Sequence, residues 1–233
     1  MSKSLKIILE IVLAALIVLL AWLIITSVQK PVKFNKELDA RTQVAVQRLK
    51  DIRTLQVAFK SANGRFSPCV DSLKMFYESG KMDITMQIGS NDDSLAVENT
   101  EAIKKANKKL TPEQLTAKLQ DAYAQGQQVV FSITTQIPVK DTLFNNRPDF
   151  CIDSLYYIPF SGKQLTEMES TIKTVSGVQV PLFEARMPYK ALCKGMDNQL
   201  RINKDAECED LGRYKGLQVG SVTAPNNNAG NWE

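Results

Sequence analysis

Residues 7–26 read IILEIVLAALIVLLAWLIIT, apolar on every side with a single charge, Glu10, close to the start. About twenty residues rising about 1.5 Å each cover the roughly 30 Å hydrocarbon core of a bilayer. A secretory leader has a shorter apolar core and a small-x-small exit. Here the exit is Ile25-Thr26-Ser27-Val28-Gln29-Lys30-Pro31, so residues 7–28 are expected to be an uncleaved transmembrane helix behind a flank of residues 1–6. Pro31 has no N–H and crowds the preceding turn, which predicts a break or kink. Beyond it the period changes. Ala45, Leu49, Ile52, Leu55, Phe59 and Ala62 recur at threes and fours, while Arg41, Gln43, Gln47, Lys50, Asp51 and Lys60 fall on the other faces. This is one apolar stripe on an amphipathic helix over residues 29–64, stopped by Asn63-Gly64.

Downstream the segments are short. Asp71 or Ser72 caps a helix over residues 73–79, and residues 81–88 alternate Met82, Ile84, Met86 and Ile88 with polar partners, as a half-buried strand does. Residues 97–109 are polar and weakly helical. Thr111-Pro112-Glu113-Gln114 is a capping box with proline at the first helical position. Residues 129–139 are β-branched and read as a strand. The last third reads as an antiparallel meander, with strands over 155–160, 164–174, 178–185, 199–203 and 217–222. The fold class is therefore α+β: one membrane helix continuing into a long amphipathic helix, packed on an antiparallel β-rich domain of residues 65–222. Residues 223–233, TAPNNNAGNWE, are too polar to fold alone, and Trp232 either docks in a groove or hangs free. Cys69-Val70-Asp71-Ser72-Leu73 is echoed by Cys151-Ile152-Asp153-Ser154-Leu155, which reads as one turn type used twice.

Composition narrows the chemistry. Histidine is absent, which removes the commonest general base and zinc ligand. The net charge of +4 is modest and spread along the chain, with no nucleic-acid motif. Ser161-Gly162-Lys163 is not a phosphate-binding loop, and no Ser–Lys or carboxylate spacing singles out a catalytic pair. No catalytic residue, metal ligand, cofactor or small-molecule substrate is expected. The cysteines Cys69, Cys151, Cys193 and Cys208 form no CxxC. They are either four thiols or two disulfides with three possible connectivities, of which Cys193–Cys208 is the favoured pair because it flanks a polar, turn-rich segment. Glu10 either reaches the headgroups, paired with Lys6, or takes part in assembly between neighbouring spans.

Leu49, Ile52, Leu55, Gln56 and Phe59 on the helix, the turn Gly64-Arg65-Phe66 with Pro68, and Glu10 near the start of the apolar helix resemble the N-terminal half of type IV pilins and type II secretion pseudopilins. The resemblance covers residues 7–76. The chain has no Gly-Phe before the span, so the prepilin peptidase signature is missing, and its C-terminal half resembles uncharacterised envelope proteins of Gram-negative bacteria. The resemblance implies a non-enzymatic structural or assembly component of an envelope machine, with Glu10 and Lys6 in assembly and self-association or other envelope proteins as partners. It also implies an inner-membrane location with the C-terminal domain in the periplasm. A free-standing anchored scaffold or binding module is the alternative, and a Ser–Lys or carboxylate enzyme the third.

Overall fold

The computed structural model describes residues 3–233, with side chains from Glu10 onward. Its backbone is one long helix, α1 (Lys3–Asn63), followed by short elements. α1 runs for 61 residues straight through Pro31. Of the expected break or kink, the break is therefore absent. Proline removes one rung of the ladder, and here that rung is flanked by more than two dozen helical residues on each side. The N-terminal stretch is exposed all round, and an 18-residue window reaches a mean hydropathy of 2.9, long and apolar enough to cross a membrane.

The elements after α1 are α2 (Val70–Ser79), β1 (Lys81–Ile88), α3 (Ser94–Ala106), α4 (Pro112–Ala124), β2 (Phe131–Pro138) and the single turn α5 (Val139–Thr142). A 3-10 turn (Ile152–Tyr156), β3 (Glu167–Val175), β4 (Val178–Pro188), α6 (Tyr189–Leu192), α7 (Asn198–Asp210) and β5 (Gly216–Gly220) complete the chain. The protein is α+β with small antiparallel sheets. The chain divides into two compact units, residues 1–74 with 151–233, and residues 75–150 inserted between them.

In the first unit, β3, β4 and β5 form an antiparallel sheet in that order, with Thr171 opposite Leu182 and Ala185 opposite Val219. The C-terminal half of α1 lies against β4, β5 and the 3-10 turn. Leu49, Ile52 and Leu55 are fully buried there, as are Phe183, Met187 and Val219 of the sheet, and Phe66 meets Phe183 with ring centroids 4.7 Å apart. The stripe begins earlier than the sequence pattern suggested, at Phe34 and Leu38, and Ala62 lies outside it, exposed.

The meander expected in the last third is only half right. Residues 199–203 lie inside α7, not in a strand. Leu200 and Ile202 alternate over five residues, but the side chain of Asp197 accepts from the N–H groups of Gln199 and Leu200, and Arg201 and Lys204 pair with Asp205 and Glu207 along the helix. A cap with same-face ion pairs outweighs a short alternation. Residues 155–160 likewise give the 3-10 turn and an isolated bridge from Tyr157 to Leu165.

The inserted unit pairs β1 with β2, Met82 opposite Ile137 and Ile88 opposite Phe131. Leu119 and Ala122 of α4 pack with Val129 and Phe131, bordered by Ile88, Ile103, Leu115 and Ile133. The capping box at Thr111 and Gln114 forms as expected. The side chain of Asp93 caps α3, accepting from the N–H groups of Leu95 and Ala96.

Candidate functional site

The turn after α1 is fastened by one buried side chain. Gln56 is fully buried, and its amide donates to the carbonyl of Ser67 at 2.8 Å while its Oε1 accepts from the N–H of Ser67 at 2.8 Å. An amide side chain presents a donor and an acceptor side by side, which matches the N–H and C=O of a single residue. The Gly64-Arg65-Phe66-Ser67-Pro68 turn is thereby held two helical turns back along α1, and Phe66 is pressed into the core at 3% exposure. Gly64 supplies the left-handed conformation that turns the chain, with φ +73°.

Three arginines along the same helix tie down three different loops. Arg41 donates to the carbonyls of Leu192 and Lys194, both at 2.9 Å, pairs with Glu37 at 2.8 Å, and stacks over Phe160. Arg48 donates to the carbonyl of Tyr157 at 2.6 Å. Arg53 pairs with Glu233 at 2.6 Å and reaches the carbonyl of Asn228. The planar fork of a guanidinium can serve two carbonyls and a carboxylate at once, which an ammonium cannot reproduce.

The sequence echo becomes a contact. Tyr156, which follows the second copy, donates its hydroxyl to Asp71 of the first at 2.7 Å. Lys74, which follows the first copy, pairs with Asp153 of the second at 2.6 Å. The two leucines of the copies, Leu73 and Leu155, are both core residues. This reciprocal clasp joins the places where the inserted segment leaves and re-enters the first unit. Burial, and then the hydrogen bond to Asp71, push the Tyr156 phenol up to about 12. One turn type used twice is thus also one partner for the other.

The polar tail docks. Gly230 bridges Val219 on the outer edge of β5, the N–H of Gly220 donates to Ala229, and Asn231 exchanges bonds with Gln218. Trp232 folds over Gly230 so closely that a Cβ there would sit 2.3 Å from the indole.

Of the expected site residues, Ala45, Leu49, Ile52 and Leu55 form the buried stripe, and Phe59 is half-buried at its end. Glu10 is exposed on α1, and the side chain of Lys6 lies outside the described residues, so their pairing has no structural description. The expected Cys193–Cys208 bridge is not formed: all four cysteines are free thiols, with Cys193 and Cys208 buried, Cys69 half-buried and Cys151 exposed. Cys193 closes α6 and Cys208 lies on α7. Both act on the half-buried phenol of Tyr189, which burial chiefly pushes up to about 12, and burial raises Cys193 itself to about 11. The arginine ties and the clasp were not read from the sequence, although Arg41 and Arg48, seven residues apart on the buried side of a helix, were the available signal. Among the described residues no group of three or more Cys, Asp or Glu side chains is placed to hold a metal ion. No family model, curated protein or solved structure matches the chain.

Proposed function

We propose that the protein is a membrane-anchored, non-enzymatic structural or assembly component of a cell-envelope machine, pilin-like or pseudopilin-like in plan. The supporting observation is α1 itself. One unbroken helix is apolar on all sides in its first half and serves in its second as the spine of an α+β unit, with the turn after it held by Gln56. On this reading residues 7–28 lie in the inner membrane, residues 65–222 lie on the periplasmic side, and copies associate along α1. Glu10 takes part between neighbouring spans, where a carboxylate in lipid is offset by a cationic partner such as Lys6 or the amino terminus.

Cross-linking tests this. Cysteines placed at Val12 within the span and at Val44 and Val57 on the exposed side of α1 should give a ladder of homotypic products in membranes, and Glu10→Gln should weaken the product at Val12 without lowering abundance. Monomer alone, with Glu10→Gln unchanged, favours the anchored binding module instead. One observation supports that second reading: the inserted unit carries a polar cleft of about 330 Å³ lined by Gln87, Thr100, Glu101, Lys104 and Ser132.

A further inference from the structure

Where α1 emerges from its apolar stretch, a cleft of about 410 Å³ opens between Lys30 and Lys33 on the helix and the loop Gly195-Met196-Asp197 ahead of α7. Phe34, buried, lies at its floor. The cleft contains two acids, and both are already engaged: Glu37 pairs with Arg41, and Asp197 accepts the first N–H groups of α7. Arg41 in turn is held by Leu192, Lys194 and Glu37. Lys30 and Lys33 have no ion-pair partner among the described residues, and with Arg41 against Glu37 and Asp197 the lining keeps a net charge of +1.

Their height matters as much as their charge. At about 1.5 Å per residue the two lysines stand about 3 and 8 Å past Val28 along the axis. The polar layer of a bilayer extends roughly 5–7 Å beyond the hydrocarbon. Lys30 is therefore at headgroup level and Lys33 at its outer edge, beside an apolar floor and under a loop that walls off one side. Lysines at that depth attract anionic lipid.

We propose that this cleft holds the phosphate of an anionic phospholipid, with Lys30 and Lys33 on the phosphate and Met196 and Phe34 against the start of its acyl chains. The site fixes the height and the rotation of the first unit against the bilayer surface. The proposal rests on the membrane-spanning reading of α1.

The full chain is reconstituted in nanodiscs of equimolar phosphatidylcholine and phosphatidylglycerol, and the lipid that stays with it on release is counted by native mass spectrometry. The wild type should retain phosphatidylglycerol over phosphatidylcholine by about tenfold. The Lys30→Gln/Lys33→Gln variant should lose that preference, and Lys36→Gln, which removes the same charge outside the cleft, should keep it. Equal retention by the wild type, a preference surviving in the double variant, or its equal loss in Lys36→Gln overturns the proposal. So does a preference stripped by excess inorganic phosphate, which would mark a site for the free anion. A chain that fails to enter nanodiscs of either lipid overturns the spanning reading first.

Discussion

Gln56 is fully buried and bonds both backbone polar groups of Ser67. Replacing it with alanine leaves the N–H and carbonyl of Ser67 buried without partners. Unsatisfied buried groups cost about 1–3 kcal/mol each, so Gln56→Ala should destabilise the first unit by about 2–6 kcal/mol in denaturant unfolding of the detergent-solubilised protein. The exposed Lys50→Ala, on the same helix, should change it by no more than about 0.5 kcal/mol. Titration offers a second check at this scale. Burial raises Cys193 from 9.0 to about 11 and Tyr189 from 10.0 to about 12, and burial with the Asp71 bond does the same for Tyr156. Each group keeps its proton longer when folded than when unfolded. Its contribution is complete below the unfolded value and is lost as pH rises through the folded one. Melting temperature should therefore hold steady up to about pH 9 and fall between about 9 and 12, less steeply in Tyr156→Phe; a melting temperature that rises over that range would contradict the assignment.

At the scale of elements, the stripe on α1 was legible because burial on one side of a helix imposes a period, and Ala45, Leu49, Ile52 and Leu55 keep to it. Truncating Ile52 to alanine should cost about 2–5 kcal/mol, as large-to-small changes in a packed core do, read by the same unfolding measurement. An unchanged stability would mean that the helix does not pack on the sheet. The strand β1 was read to the residue because its alternation runs the full length of the element. The helix α7 was misread because a five-residue window saw Leu200 and Ile202 but not the cap at Asp197 or the charge pairs beyond it. Local patterns report local burial. They do not report partners distant in sequence, which is why the ties from Arg41 to Leu192 and from Tyr156 to Asp71, 151 and 85 residues apart, left no periodic trace.

At the scale of the whole molecule, the inserted unit was the organising feature that the sequence hid. Its borders fall inside α2 and just before Cys151, and neither carries a glycine- or proline-rich linker to announce it. Their only signal was the repeated Cys-x-Asp-Ser-Leu, whose meaning lies in a contact between its copies. The apolar stretch of α1, by contrast, is visible without a partner, because length and apolarity alone make a helix able to cross a bilayer. On that stretch rests the central proposal, that the first half of α1 spans the membrane with the residues after it on one side. Cysteines introduced singly at Val18 and at the exposed Lys109 test it in spheroplasts with a membrane-impermeant maleimide, read by peptide mass. The account predicts labelling at position 109 in intact spheroplasts and none at position 18 until the membrane is dissolved. Ready labelling at position 18 would contradict the span, and protection at position 109 would place the units on the opposite side.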